Sequence, residues 1–155
     1  MTDIETQELD TKRLMGVVSA HVRQHLTPRR LRGSHIDLVE LHAESLQVLS
    51  ERFTSERPDR TTDYMAKPQM RAAYLLYYLP TGAATAATVL RLGGLLPALR
   101  TGKERLRVLD LGAGPLTASI GLALAAPGRK LDVTAVDAVG KTLKDGAAIL
   151  RALEP

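Results

Sequence analysis

The segment Val108–Leu124, VLDLGAGPLTASIGLAL, constrains the fold more than any other part of this 155-residue chain. LRVLDL is a short apolar run that reads as a buried strand, and it ends in a glycine-rich turn. Gly112 and Gly114 permit a tight turn and close backbone approach to a ligand. A helix then starts at Pro115, and its N-terminus offers free N–H groups and a positive dipole. It stops at Pro127–Gly128. LDVTAVD is a second, β-branched strand. Asp137 ends it, 23 residues beyond Gly114, close to the ~20-residue offset at which an acid reaches ribose hydroxyls. A last helix spans Lys141 to Leu153. This strand–helix–strand–helix order opens an α/β parallel sheet.

Upstream, the pattern is helical. Leu14, Val17, Val18, Val22 and Leu26 recur at helical spacing, and Pro28 ends that run. Ser34 with Asp37 three residues on predicts an N-cap, opening a helix that reaches about Phe53. Ile36, Val39, Ala43, Leu46, Leu49 and Phe53 share one face of it, widened by Leu38, Leu41 and Val48. Pro68 suits the first turn of a third helix, which ends at Leu79 before Pro80. Ala83 to Leu92 is a fourth, closed by Gly93–Gly94. The expected organisation is a helical region, 1–104, followed by a partial Rossmann-like domain, 105–155. A common doubly wound sheet needs about six strands, and the residues after 104 hold two, so the sheet reads as truncated.

Charge and composition exclude several classes. With no cysteine there is no disulfide framework, thiolate metal site or cysteine nucleophile in these residues. His21 and His25 stand four apart without the glutamate of an HExxH site, and they read with His35 and His42 as ordinary helix histidines, so no metal is expected. Ser119 lies in a helical context that rules out a nucleophile elbow. The acidic N-terminus has no apolar signal region, and cytoplasmic location is the expectation. The net charge is +4, and between Tyr64 and Arg107 seven basic residues stand against one acid, Glu104. Such a stretch is either a solvated face or a phosphate-binding one.

The turn with Asp110 at its head and a Gly-x-Gly core resembles the first motif of the S-adenosylmethionine-dependent methyltransferases built on a Rossmann-like sheet. A dinucleotide fingerprint would need glycine at Thr117, and the methyltransferase run usually has one where Leu116 stands. The upstream stretch YMAKPQMRAAYLLYYLPTGAATAATVLRLGGLLP, followed by LRVLDLGAGP, resembles the small-ribosomal-subunit methyltransferase-like family over about residues 34–140. That resemblance implies S-adenosylmethionine as cofactor and S-adenosylhomocysteine as product. It places Asp110, Gly112, Ala113 and Gly114 at the cofactor, Asp137 on its ribose, and Ala138 with Val139 beside its adenine. It implies small-subunit ribosomal RNA or ribosomal proteins as partners, with Arg71, Arg91, Arg100, Lys103, Arg105 and Arg107 as phosphate contacts. Tyr74, Tyr77 and Tyr78 are either base-stacking residues or, as their helical spacing favours, core. Three functional expectations stand side by side: a methyltransferase acting on or around that RNA, of which this chain is a fragment inactive alone; a non-catalytic assembly or RNA-binding factor that keeps the fold; and a nucleotide-binding α/β module outside methyl transfer.

Overall fold

A computed structural model describes residues 3–27, 33–54, 62–101 and 105–153. The element order is α1 (Asp3–His25), α2 (His35–Leu41), α3 (Ala43–Thr54), a 3₁₀ turn (Thr62–Ala66), α4 (Pro68–Ala73), a π-helical turn (Tyr74–Tyr78), α5 (Leu79–Leu92), α6 (Leu96–Arg100), β1 (Leu106–Leu111), α7 (Thr117–Ala125), β2 (Leu131–Val136) and α8 (Gly140–Leu153). Among the described residues the protein is mainly helical with one two-stranded parallel sheet, an α/β arrangement. Leu106 pairs with Leu131 at one end and Leu111 with Val136 at the other.

One hydrophobic core joins the helical region to the α/β segment. Leu14, Val18 and Val22 of α1, with Leu26 just after it, share this core with Leu75, Leu76, Leu79, Ala83 and Ala87, and with Ile120, Leu124, Ile149 and Leu153. Helix α7 is buried nearly all round, as a helix apolar on every face must be, with α5 on one side and β1 on the other. Its approach to α5 is set by small residues. A Cβ on Gly121 would lie 2.7 Å from both the Ala83 carbonyl oxygen and Ala86 Cβ.

Three local expectations change. The Ser34–Asp37 capping box forms as expected, but the helix it opens breaks at His42, whose backbone sits at φ −104°, ψ 16°. Leu38 and Leu49 are buried, whereas Ile36 and Leu41 of the expected face are exposed. The expected stop at Pro80 is replaced by continuation. Pro80 lacks an N–H, so the chain shifts to a π turn in which Leu79 N–H donates to Tyr74 O. The Leu76 carbonyl, the partner that Pro80 cannot serve, instead lies 2.9 Å from His35 Nε2. The third change concerns the strands. Leu106, Val108 and Asp110 face the helices, while Arg107, Leu109 and Leu111 face outward, so β1 is buried on one side only.

A buried ion cluster ties the layers together. Asp145 of α8 accepts from Arg71 Nε at 2.9 Å and lies 2.9 Å from His21 Nε2. Arg71 also donates to the carbonyls of Met65 and Ala66. Among the described residues, no helix is long and apolar enough to cross a membrane.

Candidate functional site

The glycine turn lies at the carboxyl ends of both strands. Gly112 and Gly114 adopt φ +66° and +51°, and a Cβ at either would meet no atom within 4 Å. Both therefore border open space, and their need for glycine is conformational. Ala113 N–H donates to Val136 O at 3.0 Å, which folds the turn across the end of β2. Leu116 is the position where the resembled motif has glycine, and it adopts φ +59°, the one positive value at a non-glycine residue among those described. Its side chain is 4 % exposed and packs into the main core, so its bulk leaves the open side of the turn free.

The two acids do different work. Asp110 is buried, and its Oδ2 accepts from Ser119 Oγ at 2.6 Å and from Ser119 N–H at 3.3 Å. It braces the strand against α7 rather than facing the turn's open side. Asp137 links the two loops: Oδ2 accepts from Gly114 N–H at 2.9 Å and Oδ1 from Val139 N–H at 2.8 Å. An ionised carboxylate has about four acceptor sites, so each oxygen keeps capacity for a ligand hydroxyl. Ala138 beside it is exposed. Val139 packs against Leu49, Met65, Met70 and Ala73, together with Tyr64, Tyr74 and Tyr78.

Those tyrosines form a feature the motif itself does not reveal. Tyr74 and Tyr78 have ring centroids 5.4 Å apart, and Phe53 meets Tyr78 edge-on at 5.1 Å. Burial pushes the Tyr74 phenol above its ordinary value, and Tyr64, Asp137 and Tyr78 nearby add to the rise. Thr117 is close enough to oppose that rise, yet its buried Oγ1 has no partner in hydrogen-bond geometry. Tyr77 is 50 % exposed, so the spacing that suggested core holds for Tyr74 and Tyr78 only in part and fails for Tyr77. The helical region thus contributes an aromatic wall beside Asp137. Four tyrosines within fifteen residues were visible in the sequence, but their proximity to Asp137 was not.

The expected phosphate contacts do not form one surface. Arg71 is 7 % exposed and engaged by Asp145, so it is withdrawn from any phosphate-binding face. Arg91 is half-buried near the end of α5. Arg105 and Arg107 are exposed at the amino end of β1, away from the glycine turn. Lys103 and the side chain of Arg100 lie outside the described residues, as do Arg29, Arg30 and Arg32. Among the described residues no group of three or more His, Asp or Glu side chains is placed to hold a metal ion.

Comparison of the chain with protein-family models, with curated proteins and with solved structures gave no match.

Proposed function

We propose that this chain carries the S-adenosylmethionine-binding portion of a Rossmann-like methyltransferase that acts on or around small-subunit ribosomal RNA. The observation that carries the reading is Asp137, which couples Gly114 to Val139 at the carboxyl ends of two parallel strands, with Gly112 and Gly114 open beside it. Ligands of open α/β sheets occupy this position. The residues fit the cofactor's nucleoside: Asp137 accepts from ribose hydroxyls, and Ala138 and Val139 flank the adenine. The bound cofactor supplies an activated methyl group; the chain's own contribution is to hold and orient.

Calorimetric titration with S-adenosylmethionine and S-adenosylhomocysteine tests this. Asp137→Ala is expected to lower affinity at least tenfold. Asp137→Asn, which keeps one acceptor oxygen, loses less. The absence of heat from a folded wild-type chain would sink the proposal. The second reading, a non-catalytic small-subunit assembly or RNA-binding factor, draws support from Asp110, whose carboxylate is committed to Ser119. That reading expects RNA binding, steeply weakened by salt, without any cofactor effect.

A further inference from the structure

At the opposite end of the strands, roughly 20 Å from the glycine turn for strands of this length, lies a cavity of about 450 Å³. Its walls come from segments far apart in the chain. Arg13 belongs to α1, Arg105 precedes β1, and Arg129 and Lys130 form the turn into β2. Among the described residues that line it, these four cations stand with one carboxylate, Asp10. Arg13 is held in place by donation from Nη2 to Leu153 O at 3.0 Å. The floor is different in kind: Ala123, Leu131 and Leu150, all half-buried, present apolar surface.

We propose that this cavity binds a nucleotide, with the base against the apolar floor and the phosphate on the cationic rim. Charge and shape carry the argument. Among the described lining residues the cations outnumber the carboxylate of Asp10, which biases the local potential towards an anion. Three of the four are arginines, whose planar fork suits phosphate. An apolar floor adds nothing for a bare phosphate, and the volume lies within the range of small-molecule sites. A flat ring carrying a phosphate uses both surfaces at once. Such a unit comes either from single-stranded RNA or as a free mononucleotide. The RNA source rests on the partner proposed above; the mononucleotide source is independent of it.

The test uses the full chain. Anisotropy of a labelled single-stranded hexaribonucleotide, read between 50 and 200 mM salt, covers the first source. Calorimetry with AMP, with inorganic phosphate as the size control, covers the second. Arg105→Glu with Lys130→Glu is expected to weaken both ligands at least tenfold. It should also flatten the hexanucleotide's salt slope by about 1.4, since each phosphate contact on a single strand contributes about 0.7. Ala123→Trp fills the floor without changing charge and should weaken AMP while leaving any phosphate binding alone. Lys144→Glu, exposed at the other end of α8, is the charge control and should change little. AMP binding without the hexanucleotide supports the cavity and overturns only the RNA source. Wild-type affinities in both folded variants, or no binding of either ligand, overturn the proposal. Titration of the same variants with S-adenosylhomocysteine reads the glycine turn separately, so failure of one site is distinguishable from failure of the other.

Discussion

The two faces of the sheet share the same strands and register yet sit in opposite environments. One face carries Val108, Asp110, Val133 and Ala135, all at least half-buried, and Val133 and Ala135 pack against the main core. The other carries Arg107, Leu109, Leu111, Asp132, Thr134 and Val136, with Leu109 65 % and Leu111 71 % exposed. Strands of parallel sheets are ordinarily covered on both faces and read as unbroken apolar runs. LRVLDL has that character, and in this structure only half of it is used. Apolar sequence therefore sets where a strand forms, while the number of helices that pack on it sets how much is buried.

The largest effect is expected deep on the covered side. Arg71→Ala leaves Asp145 buried with only His21 beside it. Removing one partner of a buried pair costs about 3–5 kcal/mol, and urea denaturation should show a loss of that size. A cost below about 1 kcal/mol would mean that the covered side is wetter than its burial implies.

Gly146→Ala is expected to come next. Its Cβ would lie 2.3 Å from the Pro115 carbonyl carbon and oxygen. Backbone atoms cannot swing aside, so α8 must move off the turn, at about 1–3 kcal/mol. Because Pro115 follows Gly114, the same variant should weaken S-adenosylhomocysteine binding, which ties packing on the covered face to the candidate site.

These two residues also show what the sequence could and could not reveal. The strand, the glycine turn and Asp137 follow from local pattern; the helix after the turn does too, but it starts at Thr117 rather than Pro115 because Leu116 takes a left-handed backbone. Gly112 and Gly114 were legible because a positive φ is a local demand. Arg71 was misread because its burial depends on Asp145, 74 residues away, and a run of positive charge looks the same whether solvated or paired. The continuation through Pro80 was hidden for a similar reason: it relies on a π turn and on His35 from another helix. Likewise, the cations of the amino-end cavity come from α1, the residue before β1 and the turn before β2, so no single window of sequence contains them.

A smaller, pH-dependent effect is expected at His42, where α2 gives way to α3. Its ring is 8 % exposed, Nε2 has no partner, and burial holds its pKa below the ordinary value. The unfolded chain therefore takes up the proton first, near pH 6.5. The stabilising contribution of the neutral ring is complete above that pH and declines as pH falls towards the lower folded value. Thermal unfolding followed from pH 7.5 to 5 should show a fall in midpoint that His42→Gln reduces. An unchanged slope in the variant would place the loss elsewhere.

The smallest effect belongs to the open face, and it discriminates most sharply. Leu109→Lys replaces an exposed leucine with a cation on the solvent side of β1, so stability should change by no more than about 0.5 kcal/mol. The same substitution one residue earlier, Val108→Lys, puts the ammonium on the half-buried face of β1, where it loses part of its water. A one-residue step along a strand reverses the face, so the two urea midpoints should separate clearly although the chemical change is nearly the same. Equal costs at the two positions would mean that Leu109 is covered in solution as Val108 is. That result would replace the open face with an occupied one and make the apolar character of both faces a description of how the sheet is packed.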